Sequence, residues 1–451
     1  MLKSINPFSG KQIADYDEIS AIQLDTVLEN AYKAFINWKS ESFKNRSRLF
    51  IKMANLLLER KEEYSTLITA EMGKIISESR AEIEKCAWLC EYYADNAESL
   101  LQQEFIETDA SKSYVRYEPL GIIYGIMPWN FPFWQVLRAA VPTIMAGNTF
   151  VLKHAPNVIG CGSAIEKLFI EAGFSKNIFS NLLIDINLSE NVISNNYAQG
   201  VTLTGSQRAG SAVAAIAGKH LKKTVMELGG SDPFIVLKDA EINNSCKTGV
   251  CSRMLNAGQV CISAKRFIVV EEIYDEFVKE QKALLENLIL GDPMLEDTDM
   301  GPMARTDLLE GIEEQVKKSV SLGAEIITGG KRINKNFYAP TLIVNAKKGM
   351  PVYDEETFGP VSVVIPAKDA EDAIRIANDT NFGLGASLWT QNMELAEHLA
   401  TKIEAGAVFI NGMTKSDPRL PFGGIKQSGY GRELGGLGIK EFVNAKTVWV
   451  K

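Results

Sequence analysis

Histidine is scarce in this chain of 451 residues: His154, His220 and His398 are the only three. None stands in a recognisable thiol-protease context, so a Cys–His nucleophilic pair has little to draw on. The six cysteines, Cys86, Cys90, Cys161, Cys246, Cys251 and Cys261, include no CxxC pair, which removes the redox-motif and zinc-ribbon spacings. Cys86 and Cys90 are four apart on an expected helix, a spacing open to two metal ligands, but no histidine lies near them; packing is the better reading and no metal site is expected. Positive charge is in deficit, with 48 Lys and Arg against 56 Asp and Glu and a formal net charge of −8. A nucleic-acid partner needs clustered basic residues and is not expected, although a local cationic site for a small anion stays open. Long apolar runs are missing too. The most apolar region, 121–152, is interrupted by Pro128, Pro132, Arg138, Pro142 and Asn148, whereas a membrane helix needs about 20 nearly unbroken apolar residues. The opening MLKSINPFSGKQIADYDE lacks the apolar stretch of a signal peptide. Reduced thiols and a cytoplasmic location are therefore expected, with no membrane partner.

What is present is ordinary globular material, 46% hydrophobic and 23% charged, long enough for two or three domains. Residues 21–104 read as helices, with apolar residues recurring at 3–4 spacing; Asn45 and Ser47 are candidate caps for the second, and a third spans about 76–104. From about 120 short apolar runs alternate with helical stretches: GIIYGIM before 133–146, TFVLK before 159–172, GVTLTG before 206–218, then KKTVMELGG. A second series holds PFIVL, RFIVV, AEIITGG, FYAPTLIV, GPVSVVIPA and GAVFING, with helices over 241–256, 273–290 and 369–378. This is the pattern of parallel α/β sheets, here two lobes with a glycine-rich join at 229–230, followed by a strand-like tail over 439–451.

Five places carry candidate chemistry, each with a plainer alternative. TGSQRAG, Thr204 to Gly210, puts Gly205 and Ser206 between a strand and a helix, where backbone N–H groups can meet a phosphate; a plain turn is the alternative, since the spacing is neither GxGxxG nor a P-loop. Lys153 ends the strand TFVLK, where α/β sheets bind ligands, unless it is a surface lysine. Glu227, in VMELGGSDPF, is either an exposed strand-end charge or a desolvated acid suited to general-base work. Cys261, in NAGQVCISAKRF, is either core filler or a nucleophile. Asn130, in MPWNFPFW, satisfies turn backbone or donates to an oxyanion.

Read together, MPWNFPFW, GNTFVLKHAP, TLTGSQRAG, MELGGSDPFIV, NAGQVC, EETFGPV and PFGGIKQSGYGRE occur in one order over about 120–433 and resemble the aldehyde dehydrogenase superfamily. Glu227 and Cys261 stand 34 positions apart, the separation that this resemblance implies for base and nucleophile. The resemblance implies an aldehyde dehydrogenase-like α/β fold: two Rossmann-like parallel lobes plus a β flap for oligomerisation. Residues 1–107 and 120–228 would form the cofactor-binding domain, 229–427 the catalytic domain, and 108–119 with 428–451 the segments of a homodimer or tetramer. It also implies that the Cys261 thiolate attacks the aldehyde, that Asn130 and the Cys261 N–H hold the oxyanion, and that Glu227 activates the hydrolytic water. Lys153 and Glu356 would bind the cofactor riboses, Ser206 and Trp129 the pyrophosphate, and Gly205 and Phe358 would complete that site.

Among such enzymes, NFPFWQVLRAAVP, LKHAPN and FINGMTKSDPRLPFGG look most like the short bacterial succinate-semialdehyde dehydrogenases. Arg138, in an apolar stretch, would then anchor a distal substrate carboxylate, with help from Ser416 and with Trp134 and Phe422 as pocket walls; an internal ion pair is the alternative for Arg138. Three departures qualify the likeness. Leu255 stands where some members carry a second arginine, with Arg253 nearby. Ser263 stands where some carry a disulfide-forming cysteine, so no redox switch is expected. Pro156 stands where NAD-preferring members often carry a glutamate, so NADP is expected to be accepted and the choice between NAD and NADP stays open. Lys265 and Arg266 read as structural. A coenzyme A-dependent acylating enzyme, a related aldehyde such as glutarate semialdehyde or a neutral one, and a non-catalytic descendant of the fold are the competing readings.

Overall fold

A computed structural model describes residues 1–451. A short antiparallel hairpin, Leu2–Ile5 with Gln12–Tyr16, precedes four helices: Ala21–Trp38, Phe43–Glu59, Lys61–Met72 and Ile76–Leu100. Ser20 starts the first through a capping box with Gln23. The second begins earlier than the sequence suggests: Ser42 is its cap and accepts the Asn45 N–H at 3.2 Å, so Asn45 and Ser47 lie within the helix. Ser47 instead donates to the Ala94 carbonyl at 2.6 Å and ties this helix to the fourth. What reads as one helix after Asn45 is two, and Gly73, at φ 81°, ends the latter where a left-handed turn is required.

Two large sheets follow. The six-stranded sheet runs Gly429–Tyr430, Lys223–Glu227, Ala198–Thr204, Ile122–Met127, Thr149–His154, Phe179–Asn181, all parallel except the first. The chain starts in the middle, at Ile122–Met127, builds outward on one side and then returns to build on the other. That reversal opens a crevice at the strand carboxyl ends, the place where such sheets receive ligands. The seven-stranded sheet runs Glu325–Thr328, Thr341–Val344, Val361–Ala367, Ala264–Val270, Asp232–Val236, Gly385–Trp389, Ala407–Ile410; all but Glu325–Thr328 are parallel. Its strand Gly385–Trp389 and the nearby helix Thr306–Ser321 have no counterpart in the sequence reading.

The carboxyl-terminal strand Val443–Val450 pairs along eight residues with Lys112–Pro119, which also carries Glu104–Phe105. The helix Trp134–Met145, all twelve residues of which are buried, packs against the strands Ile122–Met127 and Thr149–His154 and the helix Ile76–Leu100. Its first N–H groups, those of Phe133 and Trp134, donate to the Glu82 carboxylate at 2.8 and 2.9 Å, which answers the unpaired donors of a helix start. Lys74 neutralises Glu82 in a fully buried ion pair. No helix is long and apolar enough to cross a membrane.

Candidate active site

Cys261 follows a turn of unusual backbone. Asn256 and Ala257 both have φ 52° and Gly258 has φ 74°, three consecutive residues in a region that side chains avoid. A Cβ on Gly258 would collide with the Gly359 carbonyl. Such strain persists only where the surroundings hold it, and here they do. The Glu78 carboxylate accepts the Asn256 N–H at 3.0 Å, and the Asn256 side chain donates to the Asn130 carbonyl at 2.9 Å. The Asn130 amide donates in turn to the Gln259 carbonyl at 2.8 Å. Asn130 is thereby fixed against the thiol loop, and its amide has a second N–H to give.

The thiol stands where two cavities meet. One, of about 220 Å³, is lined by Glu78, Lys85, Trp134, Arg138, Ser416 and Phe422 among others; the other, of about 250 Å³, by Trp129, Asn130, Gly205, Ser206, Glu356 and Phe358 among others. Cys261 and Gln135 belong to both. The second cavity lies at the carboxyl ends of the six-stranded sheet, beside the helix Gln207–Lys219 whose cap is Ser206. Trp129 and Phe358 meet edge to face across it, 5.9 Å between ring centroids. Gly229 belongs there because a Cβ would strike the Glu356 carboxylate. A dinucleotide fits this site: aromatic walls, a glycine-lined floor and a helix start for its phosphates. Lys153 and Pro156 are not among the residues lining this cavity. Lys153, mostly buried at its strand end, has its pKa lowered by desolvation, opposed by Asp185 and Glu18.

Electrostatics around the sulfur are divided. Burial pushes the Cys261 thiol up to about 11, against the pull of Arg138 and Lys265. Lys265, itself buried, donates to the Cys261 and Val260 carbonyls at 2.7 and 3.0 Å and lies 3.4 Å from Glu356. Its role is therefore partly electrostatic as well as structural. Arg266 is structural alone: its donors go to the carbonyls of Ser231, Ile376 and Ala377. Arg253 is committed in the same way, to the carbonyls of Val361, Gly258, Thr357 and Gly359 and to the Ser263 hydroxyl. It has nothing left for a substrate.

For Arg138 the structure shows the internal ion pair that was the alternative to a substrate carboxylate. Its guanidinium already has a carboxylate, buried Glu433, as an ion pair, and it lies 4.6 Å over the Phe422 ring. The internal pair meets the need that a substrate carboxylate was expected to meet. Glu227 is buried beside this pair, and neither of its carboxylate oxygens has a hydrogen-bond partner. Desolvation and then the neighbouring Glu433 push its pKa well up, which favours the protonated form. Its carboxyl faces Gly423 rather than lining either cavity.

The sequence reading passes over Gln135, Glu433, Glu78 and Lys85. Glu78, Glu82 and Lys85 share one face of the helix Ile76–Leu100 at i, i+4 and i+7. Three charges on a face that packs inward were the available signal.

Known proteins resemble this chain over its whole length. The family model described as "Aldehyde dehydrogenase family" matches residues 1–448, and the chain belongs to that family. It is 47% identical, over 100% of its length and 99% of the relative's, to a protein of Synechocystis named "Probable succinate-semialdehyde dehydrogenase [NADP(+)]". It is 43% identical, over 99% of its length and 97% of the relative's, to a succinate semialdehyde dehydrogenase [NAD(P)+] of Escherichia coli. The crystal structure of succinic semialdehyde dehydrogenase from Streptococcus pyogenes in complex with NADP+ superposes with a TM-score of 0.98, at 38% identity and covering 100% of both chains.

Proposed function

We propose that this protein oxidises succinate semialdehyde to succinate, taking NADP or NAD as hydride acceptor and Cys261 as nucleophile. The observation that carries the reading is the place of the thiol, shared by a cavity suited to a dinucleotide and one suited to a small substrate. Cys261 loses its proton and adds to the aldehyde carbon. The developing oxyanion takes hydrogen bonds from the free N–H of the Asn130 amide and the Cys261 N–H. When bound, the nicotinamide supplies the hydride acceptor. Glu227, once its proton has gone and its carboxyl has turned from Gly423, draws a proton from the water that hydrolyses the Cys261 thioester. Trp129, Gly205, Ser206, Glu356 and Phe358 hold the cofactor, with Lys153 at the adjacent strand end.

The substrate assignment draws on the relatives' names and on the cations of the first cavity. The pairing of Arg138 with Glu433 favours a second reading, a neutral aldehyde of similar length. NADP is named for the Synechocystis relative and both cofactors for the Escherichia coli one; no glutamate stands at Pro156 to repel a 2′-phosphate. A homodimer or tetramer in the cytoplasm, with residues 229–427 as catalytic domain, completes the proposal. Absorbance of the reduced cofactor over an aldehyde panel, with NAD and NADP side by side, tests it. Succinate semialdehyde should give the highest kcat/KM and NADP should be accepted, and Cys261→Ala should show no turnover. Equal rates on butanal would favour the neutral-aldehyde reading, and a burst on adding coenzyme A would favour the acylating one.

A further inference from the structure

Three cations line the first cavity: Lys85, Arg138 and Lys415. Arg138 is paired with Glu433. Lys415 is exposed and is therefore strongly screened by water. Lys85 differs from both. It is drawn inward from the helix Ile76–Leu100, its ammonium lies 4.2 Å over the Trp134 ring and it donates to the Ser416 hydroxyl at 2.8 Å. No carboxylate comes within 4 Å of it, although two are close enough to be felt. Glu82 is held by Lys74 and the start of the helix Trp134–Met145, and Asp417 is held by Arg419. Burial, and after it Arg138, brings the Lys85 pKa down to about 8, the mark of an ammonium short of counter-charge.

We propose that Lys85 is a specificity-determining residue that binds the distal carboxylate of the substrate, with the Ser416 hydroxyl as second donor. The assignment rests on the reading that the substrate carries such a carboxylate. It places the discriminating charge on Lys85, whose counter-ion is missing, rather than on Arg138, whose counter-ion is Glu433. A carboxylate entering the cavity gains an ion pair that a methyl end group cannot make. The Trp134 face keeps the ammonium in place when no substrate is bound.

The test compares succinate semialdehyde with butanal, four-carbon aldehydes that differ in the far end. The ratio of their kcat/KM values is measured for the wild type, Lys85→Met and Lys85→Arg. Lys85→Met should lower the ratio by roughly 10- to 100-fold, the range expected for a charge-assisted hydrogen bond, mainly through KM for the semialdehyde. Lys85→Arg should recover most of it. Succinate as an inhibitor of butanal oxidation should weaken by a similar factor in Lys85→Met. Because butanal turnover reports the folded site in each variant, loss of fold would not pass for loss of specificity. An unchanged ratio in Lys85→Met, with a wild type that prefers the semialdehyde, overturns the role of Lys85 alone. A wild type that shows no such preference overturns the substrate reading, and the Lys85 assignment with it.

Discussion

Cys261, the nucleophile of the proposed reaction, has surroundings that favour the thiol. Its pKa of about 11 is set first by desolvation, and the two cations that oppose it, Arg138 and Lys265, are themselves engaged with Glu433 and with backbone carbonyls. The sign follows directly: the neutral form dominates below about 11, so the reactive thiolate fraction grows about tenfold per pH unit through the neutral range. Alkylation of Cys261 in the cofactor-free protein, followed by peptide mapping, should therefore rise with unit slope from about pH 7 to 9.5 without a plateau. A plateau near pH 8 would mean that the thiolate is already stabilised by the protein alone. Cofactor, bringing a positively charged ring into the adjoining cavity, should move the curve to lower pH. That Cys261 is a candidate for thiol chemistry was legible in NAGQVC and its distance from Glu227. That Glu227 is buried against Gly423 with its pKa pushed up, and that Arg138 already has a partner, was not, since both involve Glu433, about two hundred residues beyond Glu227 in the chain.

At the scale of elements, the helix Ile76–Leu100 organises the site through one face. Glu78 holds the turn before Cys261, Glu82 holds the start of the helix that bears Trp134, Gln135 and Arg138, and Lys85 enters the cavity. The turn itself gives a test of backbone control. Gly258→Ala adds a methyl where the Gly359 carbonyl stands, at φ 74°, and should cost about 1–3 kcal/mol and most of the activity. Gly218→Ala, in the helix Gln207–Lys219 with open space around it, should instead raise stability by up to about 1 kcal/mol. Apparent melting temperature and turnover, measured on both variants, separate the two effects. The period of the apolar residues made most helices and strands readable. Helix starts were less so, because the decisive bond at Ser42 runs from one hydroxyl to one N–H and leaves no periodic trace. The strand Gly385–Trp389 is short and flanked by glycine, and only its neighbours in the sheet identify it.

For the whole molecule, the sheet formed by Val443–Val450, Lys112–Pro119 and Glu104–Phe105 ends in an open edge. It leaves Phe105, Ile106 and Trp449 more than half exposed. An apolar open edge of this kind calls for a partner, which suits a second copy of the chain. Removal of residues 443–451 should shift the species seen by light scattering to a smaller assembly and lower the melting temperature. An unchanged mass would place the subunit contact elsewhere.

Hydrophobic period, glycine placement and the order of seven short motifs sufficed to indicate the two α/β lobes and to single out Cys261, Glu227 and Asn130, because each is a local property of the chain. Counter-charge is not local. Which of Arg138 and Lys85 meets a carboxylate from the protein depends on Glu433 and Asp417 arriving from other elements and on Lys74 and the start of the helix Trp134–Met145 engaging Glu82, and burial makes that pairing decisive for both. Only the folded molecule settles which cation is already matched.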